Sequence, residues 1–402
     1  MRISTTQFNT TGLNSIKDQM SGLLKTQNQL ATQKRVQVPS DDPVASAVIF
    51  NIQQQIGITT RLTQNAEGVK NFAQQEEIAL GSSTNVLQRV RDLLIQGGNG
   101  TFSDSDRNAL ADEVEQRLLE LQGLANTKVN GIEYLFSGFQ ANVKPIDQDS
   151  SGTFIYNGDQ GQRQVQVGTG VTVSASDSGF DTFFDIRNGN GQFSTSANLA
   201  NTGNGVIGSG SVYDTAAYLP DNYSIQITTT GSQLQYEVFD GGSASVTGPT
   251  NYVDGQAIQF NGISVNLSGT PAVGDSFNID PSIRQDVFTT VKNIVDVLRT
   301  NTSTPAQAAQ LQNGLNQSLE NMDRAMDKIS QVQARVGSRL NVLDNQIAIN
   351  TDFNLTNTSA LSKVQDIDMA EAISRLSQQQ FGLEAAQQSF ARIQNLSLFN
   401  FL

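Results

Sequence analysis

The 402-residue sequence contains no cysteine, no histidine and no tryptophan. Without cysteine there can be no disulfide framework, thiolate nucleophile or zinc ribbon. Without histidine the usual general base and the commonest metal ligand are missing. Charge is scarce as well: 16% of the residues are Asp, Glu, Lys or Arg, against about 25% in an ordinary globular chain. The 25 basic and 38 acidic side chains leave a formal net charge of −13. That balance argues against a nucleic-acid binder, whose phosphate contacts need clustered Lys and Arg. No apolar run approaches the roughly 18 residues that would span a bilayer, so no membrane insertion is expected. The opening MRISTTQFNTTGLNSI lacks an apolar h-region, so a cleaved secretory signal is not expected either.

What is present falls into three compositional zones. Residues 145–285 hold 20 of the 34 glycines, with 13 acidic against 3 basic side chains. Residues 1–144 carry 14 acidic and 13 basic groups, and residues 286–402 carry 11 and 9. The acidic excess therefore sits in the middle, between Pro145 and Pro281.

The outer zones read as helix. Leu13, Ile16, Met20, Leu23 and Leu30 recur in steps of three and four, the period of a heptad seam. Ser40-Asp41-Asp42-Pro43 interrupts it, with Asp42 placed to cap a second helix whose first residue is Pro43. The second seam carries Ile52, Leu62, Val69, Leu80, Leu87, Val90 and Leu94 as far as Gly97, a length of roughly 80 Å at helical rise. Gly57, Gly68 and Gly81 weaken that helix, which predicts that it is firm only when packed. Ser103, three residues before Asp106, predicts a capping box and a third helix through Leu110, Val114, Leu118, Leu121 and Ala125. In the last zone Val287, Val291, Ile294 and Leu298 predict a short amphipathic helix. The cleanest seam follows: Leu315, Leu319, Met322, Met326, Ile329, Val336, Leu340, Leu343 and Ile347. A final helix from about Asp368 carries Ile373, Leu376, Leu383 and Phe390 and runs into an apolar tail with Leu398 and Phe399.

The middle zone reads as strand. Asn157-Gly158 predicts a two-residue hairpin between Thr153–Tyr156 and Arg163–Val167, and Asn261-Gly262 predicts another between Ala257–Phe260 and Ile263–Leu267. Tyr223–Thr228 and Leu234–Phe239 alternate like strands, while residues 188–211 are rich in Gly, Asn and Ser and read as a loop. The expected fold is α+β: N- and C-terminal helices paired antiparallel as a coiled-coil rod, with a central β-rich domain at its distal end. The expected segments are 1–40, 41–144, 145–285, 286–350 and 351–402.

Several spellings mimic chemistry. Gly203-Asn204-Gly205-Val206-Ile207-Gly208 has phosphate-cradle glycines without a flanking strand and helix, and reads as a flexible loop. Asp147–Gly152 begins like a calcium loop but has Gly158 where the bidentate Glu belongs. The adjacent carboxylates Asp41/Asp42 and Glu76/Glu77 read as caps or as a solvated helix face, because neighbours on a helix diverge by about 100°. Arg89, Arg91, Arg107 and Arg117, interleaved with acids, read as ion pairing across a coiled-coil interface. No catalytic, metal-binding or cofactor-binding constellation is expected. Seams of this length need partners, so polymerisation through the terminal helices is expected, with the acidic middle facing solvent.

The block Leu87–Asp106, continuing through Leu110 to Arg117-Leu118, resembles the N-terminal helical region of bacterial flagellins, as does Asn130-Gly131 before Tyr134-Leu135-Phe136-Ser137-Gly138. Met1–Thr5, Lys34-Arg35-Val36 leading to Pro39–Pro43, and the ending Leu396–Leu402 are more similar to the hook-associated branch of that family. This resemblance covers about 1–144 and 281–402. Residues 145–280 carry no family motif beyond a loose likeness of Gly269–Asp280 to hook-associated β segments. It implies an extracellular structural protein of the flagellum, exported unfolded through the flagellar type III apparatus with a chaperone. It would assemble with copies of itself between flagellin and the first hook-associated protein, or else form the filament as a flagellin. A glycan-binding module on a helical stalk is the reading from a different class.

Overall fold

The computed structural model describes residues 5–395, with α1 Thr5–Thr32, α2 Pro43–Gly97, α3 Asp104–Ala125, α4 Val287–Leu298, α5 Pro305–Gln365 and α6 Met369–Asn395. The helix starts follow from capping chemistry. Asp42 Oδ1 accepts from the Ala45 N–H at 3.0 Å ahead of α2. Ser103 and Asp106 exchange both bonds of a capping box ahead of α3. Asp286 caps α4 through the Thr289 N–H. Thr304 and Gln307 form a second reciprocal box around Pro305, and Asp368 accepts from the Ala370 and Glu371 N–H groups at the head of α6. Each site satisfies donors that a helix N-terminus leaves open.

Between α3 and α4 every paired strand is antiparallel. Three ribbons come first: β1 Lys128–Val129 with β2 Glu133–Tyr134, β3 Ile146–Gln148 with β4 Phe154–Tyr156, and β5 Gln164–Gly168 with β6 Val171–Ser174. A π-helical turn at Phe180–Phe184 follows. Then come β7 Phe193–Ala197, β8 Val206–Ile207, β9 Ser211–Val212, β10 Tyr223–Thr230, β11 Gln233–Phe239, β12 Thr250–Asn251, β13 Ala257–Phe260, β14 Ile263–Ser268 and β15 Ser276–Pro281. They form a five-stranded sheet in the order β12-β11-β10-β15-β7 and a smaller sheet, β13-β14-β8, with β9 also on β14. Phe193, Ile225, Val238, Ile258, Val265, Phe277 and Ile279 make the core shared by these strands. The α+β class stands, with helices at both ends and strands between them. No helix among the described residues is long and apolar enough to cross a membrane.

Two hairpin expectations part ways. Asn261 (φ 41°) and Gly262 (φ 77°) make the left-handed turn that joins β13 to β14. Asn157-Gly158 makes no hairpin: β4 pairs back to β3, while β5 pairs forward to β6. The Asp149 carboxylate draws the β3–β4 turn together by accepting from the Ser151 and Thr153 N–H groups. Gly158 is instead a point of close approach, where a Cβ would lie 2.6 Å from the Tyr156 hydroxyl.

The stretch 188–211 also differs from the loop expected of it, since it contains β7 and β8 and ends at the start of β9. Its Gly203–Gly208 segment is packed rather than flexible. Asp275 gathers the N–H groups of Thr202, Gly203 and Ala272, and a Cβ on Gly203 would strike the Ala272 backbone at 2.2 Å.

The chain divides into two compact units, residues 1–64 with 346–402, and residues 65–345. The larger unit has a core in which Leu80, Leu87, Val90 and Leu94 of α2 meet Val114 and Leu121 of α3, Ile294 of α4, and Leu315, Met322 and Ile329 of α5. Phe136, Phe183 and Phe288 close one side of it, with ring centroids 5.1 and 5.8 Å apart in successive pairs. Among its described residues the smaller unit has a modest apolar cluster, Val36, Ala45 and Ile49 against Leu361 and Val364.

Candidate assembly surface

In the smaller unit α1 and α6 run antiparallel: Gly12 lies against Phe390, Gln19 against Gly382 and Gly22 against Gln379. The glycines permit this approach, because a Cβ on Gly12 would stand 2.7 Å from the Phe390 ring. The α1 seam is only partly used in this pairing. Ile16, Leu23 and Leu30 are half-buried, while Thr26 and Gln29 are buried. Leu13 and Met20, one step around the helix, are 48% and 53% exposed. On α6, Leu376, Leu383 and Phe390 are half-buried, but Ile373 is 53% and Phe381 75% exposed. The same unit leaves Val44, Phe50, Phe353 and Leu355 open. Leu398 and Phe399 lie outside the described residues.

The turn 33–43 is tied to the turn between α5 and α6. Arg35 N donates to Gln365 O at 2.7 Å, Ile367 N donates to Gln33 O at 3.1 Å, and the Arg35 guanidinium reaches Val364 O at 2.9 Å. Lys25 pairs with Asp41 at 2.8 Å and Arg35 with Asp42 at 3.4 Å. The Lys25 hydrogen bond, then the Gln37 and Val38 N–H groups, hold the Asp41 carboxyl below its ordinary range. The Ala45 N–H does the same for Asp42, helped by Arg35. Basic and acidic residues of one short motif thus lock two helix connections together. The sequence signalled the cap at Asp42; the other tie has its partner 329 residues away and left no local trace.

The remaining seam positions lie elsewhere. Leu62, Val69, Leu80, Leu87, Val90, Leu94, Leu315, Met322, Ile329, Val336 and Leu343 are buried within the chain. Ile52, Leu319, Met326, Leu340 and Ile347 are half-buried. The buried set is already covered by this chain's own helices, so surface free for a neighbour falls on Leu13, Met20, Ile373 and their exposed neighbours. The arginines pair as ions, Arg89 with Glu113, Arg91 with Asp323, and Arg117 with Glu120, at 2.7–2.8 Å. Arg107 binds Asp104 in its own helix and Thr302 beyond α4.

Glu76 overturns its reading as a solvated or capping carboxylate. It has no exposure, and it accepts from Arg339 and from the Asp177 N–H, both at 3.0 Å. It occupies a seam position of α2, so the helix period turns it inward, and Arg339 of α5 meets it there. Burial, then the neighbouring Asp177, pushes its carboxyl up to about 8 against the pull of Arg339. Nothing in this arrangement sets a nucleophile beside a base; its chemistry is cohesion.

Residues 3–141 match the bacterial flagellin N-terminal helical region and residues 319–402 the bacterial flagellin C-terminal helical region. Residues 196–281, expected to carry almost no family signal, match the D2-like domain of flagellar hook-associated protein 1. The chain is 24% identical to flagellar hook-associated protein 3 of Salmonella typhimurium over 409 residues, 99% of each chain. It is 29% identical to phase 1 flagellin of Salmonella naestved over 196 residues, only 45% of this chain and 39% of the flagellin. The solved flagellar hook associated protein-3 of Legionella pneumophila is 34% identical, with a TM-score of 0.76, over 79% of this chain and 98% of that one. FlgL of Xanthomonas campestris is also 34% identical, with a TM-score of 0.72, over 77% of this chain and 99% of that one. The likeness to flagellin stops at the helical ends, whereas the likeness to the hook-associated proteins runs through the β-rich region; the chain belongs to the flagellar hook-associated protein 3 (FlgL) family.

Proposed function

We propose that this chain is a structural subunit of the bacterial flagellum, an adaptor that joins the hook to the flagellin filament and catalyses no reaction. The observation that carries the reading is the apolar surface the terminal helices leave open, at Leu13, Met20, Ile373 and Phe381. Large apolar side chains left exposed on paired helices in this way are what an interface covers. Copies of the chain cover it in a ring, with the first hook-associated protein on one side and flagellin on the other. The seam residues of α1, α2, α5 and α6 hold each subunit's helices in the arrangement that presents this surface. The subunit reaches the cell exterior through the flagellar type III export apparatus, with a chaperone. The segments 1–40 and 351–402 serve polymerisation, 41–144 and 286–350 form the helical body, and 145–285 faces solvent.

Deleting the gene should leave hooks without filaments and flagellin shed into the medium; hooks still bearing full-length filaments would sink the proposal. A filament-forming flagellin would behave differently in vitro, because purified protein added to filament seeds would elongate into micron-long fibres. An adaptor should not.

A further inference from the structure

Six charged side chains meet inside the larger unit. Glu76 lies on α2; Lys328, Arg335 and Arg339 lie on α5; Asp177 and Asp181 flank the entry to the π-helical turn. Arg339 divides its guanidinium between Glu76 Oε2 at 3.0 Å and Asp177 Oδ2 at 2.7 Å. Glu76 Oε1 takes the Asp177 backbone N–H, and Asp177 Oδ1 takes the Gln162 amide at 3.1 Å. Glu76 and Asp177 have no exposure and Arg339 has 8%. An outer ring completes the set: Arg335 bridges Asp177 (3.6 Å) and Asp181 (2.8 Å), and Lys328 reaches Asp181 at 2.8 Å. Ser178 then starts the turn by accepting from the Asp181 N–H, and the turn delivers Phe183 onto Phe136 and Phe288 in the helical core.

We propose that Glu76, Asp177 and Arg339, with Arg335, Asp181 and Lys328 around them, form an electrostatic clasp that fixes residues 177–184 on the α2–α5 pair and so positions the root of the β-rich region. Apolar packing alone would hold Phe183 without specifying how its backbone leaves the helices. Six fixed charges and two backbone bonds specify it, because buried ionic groups tolerate few alternative geometries. Three carboxylates face three cations, but burial and the neighbouring Asp177 keep the Glu76 carboxyl protonated up to about pH 8, so its ionisation, only partly offset by Arg339, is what costs the clasp stability. Burial raises the Glu76 carboxyl from 4.5 to about 8. Its stabilising contribution is therefore complete below pH 4.5 and is lost as the pH rises through about 8. The clasp loosens on the alkaline side.

Hydrogen exchange of the full-length protein, followed by mass spectrometry and corrected for intrinsic rates, tests this. Replacing half-exposed Arg335 (R335Q) should speed exchange of residues 178–184 roughly ten-fold while leaving α3 and α4 unchanged. R335K should restore most of that protection. In the wild type, protection of 178–184 should fall between pH 7 and 9, whereas E76Q, which keeps one acceptor oxygen and cannot ionise, should show no such fall across that range. Unaltered exchange at 178–184 in R335Q, or the same pH profile in wild type and E76Q, would overturn the proposal.

Discussion

Gly12 and Gly57 occupy helix interiors with opposite surroundings. A Cβ on Gly12 meets the Phe390 ring at 2.7 Å, whereas one on Gly57 meets nothing within 4 Å. Replacing Gly57 with Ala should therefore stabilise the chain by about 0.5–1 kcal/mol, because only the unfolded state loses freedom. Gly12→Ala should instead part α1 from α6 and destabilise the smaller unit. Urea unfolding of both variants, read by helix signal, checks the opposed signs. Ser103→Ala removes one half of the α3 capping box and should cost about 1 kcal/mol in the same measurement. Asp181 offers an acid-side counterpart to Glu76. Burial pushes its carboxyl up, but hydrogen bonds from Lys328 and Arg335 outweigh that and hold it below 3.8. Its contribution is present above that value and is lost as the pH falls through the lowered one, so Asp181→Asn should flatten the acid limb of a stability-versus-pH curve.

At the scale of elements, α5 is the longest of the described helices, and the character of its inward face changes along its length. Leu343 is fully buried and Leu340 packs half-buried against the larger core, so replacing both with Asp buries one carboxylate and sets another against apolar neighbours. The double variant should abolish assembly while the strand core, with its separate residues, stays folded. Loss of junctions in cells, with β-sheet signal retained in the purified protein, is the expected pair of results. Past Ile347 the inward positions become Asn350, Asn354 and Asn357, with Asn350 buried and the Asn354 amide reaching Thr60 at 3.4 Å. A hydrophobic period is blind to such a polar seam, which is why the reading ended at Ile347 although the helix continues to Gln365. The strand zone shows a related limit. Asn-Gly is a strong turn signal, yet at Asn157-Gly158 the Asp149 turn won the pairing of β4.

For the molecule as a whole, burial is uneven between its two units. The larger has two extensive apolar cores, while among the described residues the smaller has a cluster around Val36, Ala45 and Ile49. Stability scales with buried apolar area, so the two units should open at different free energies. Limited proteolysis of the unassembled protein should cut within residues 1–64 and 346–402 well before it cuts within 65–345. Assembly should protect those same sites. Equal cutting in both units would show that the smaller is not the weaker.

The sequence by itself determined the helices, their caps and the zoning of charge and glycine, because these depend on neighbours within a turn or two of chain. Heptad spacing also determined that Leu80 through Leu94 and Leu315 through Leu343 face inward. Only the tertiary structure decided what each face meets. It paired Glu76 with Arg339, 263 residues away, and turned a presumed surface carboxylate into a buried one. It also rotated the covered face of α1 so that Thr26 and Gln29 went inside while Leu13 and Met20 stayed out. The physical reason is that periodicity reports on which side of an element a residue lies, whereas burial and ionisation depend on which element comes to lie there.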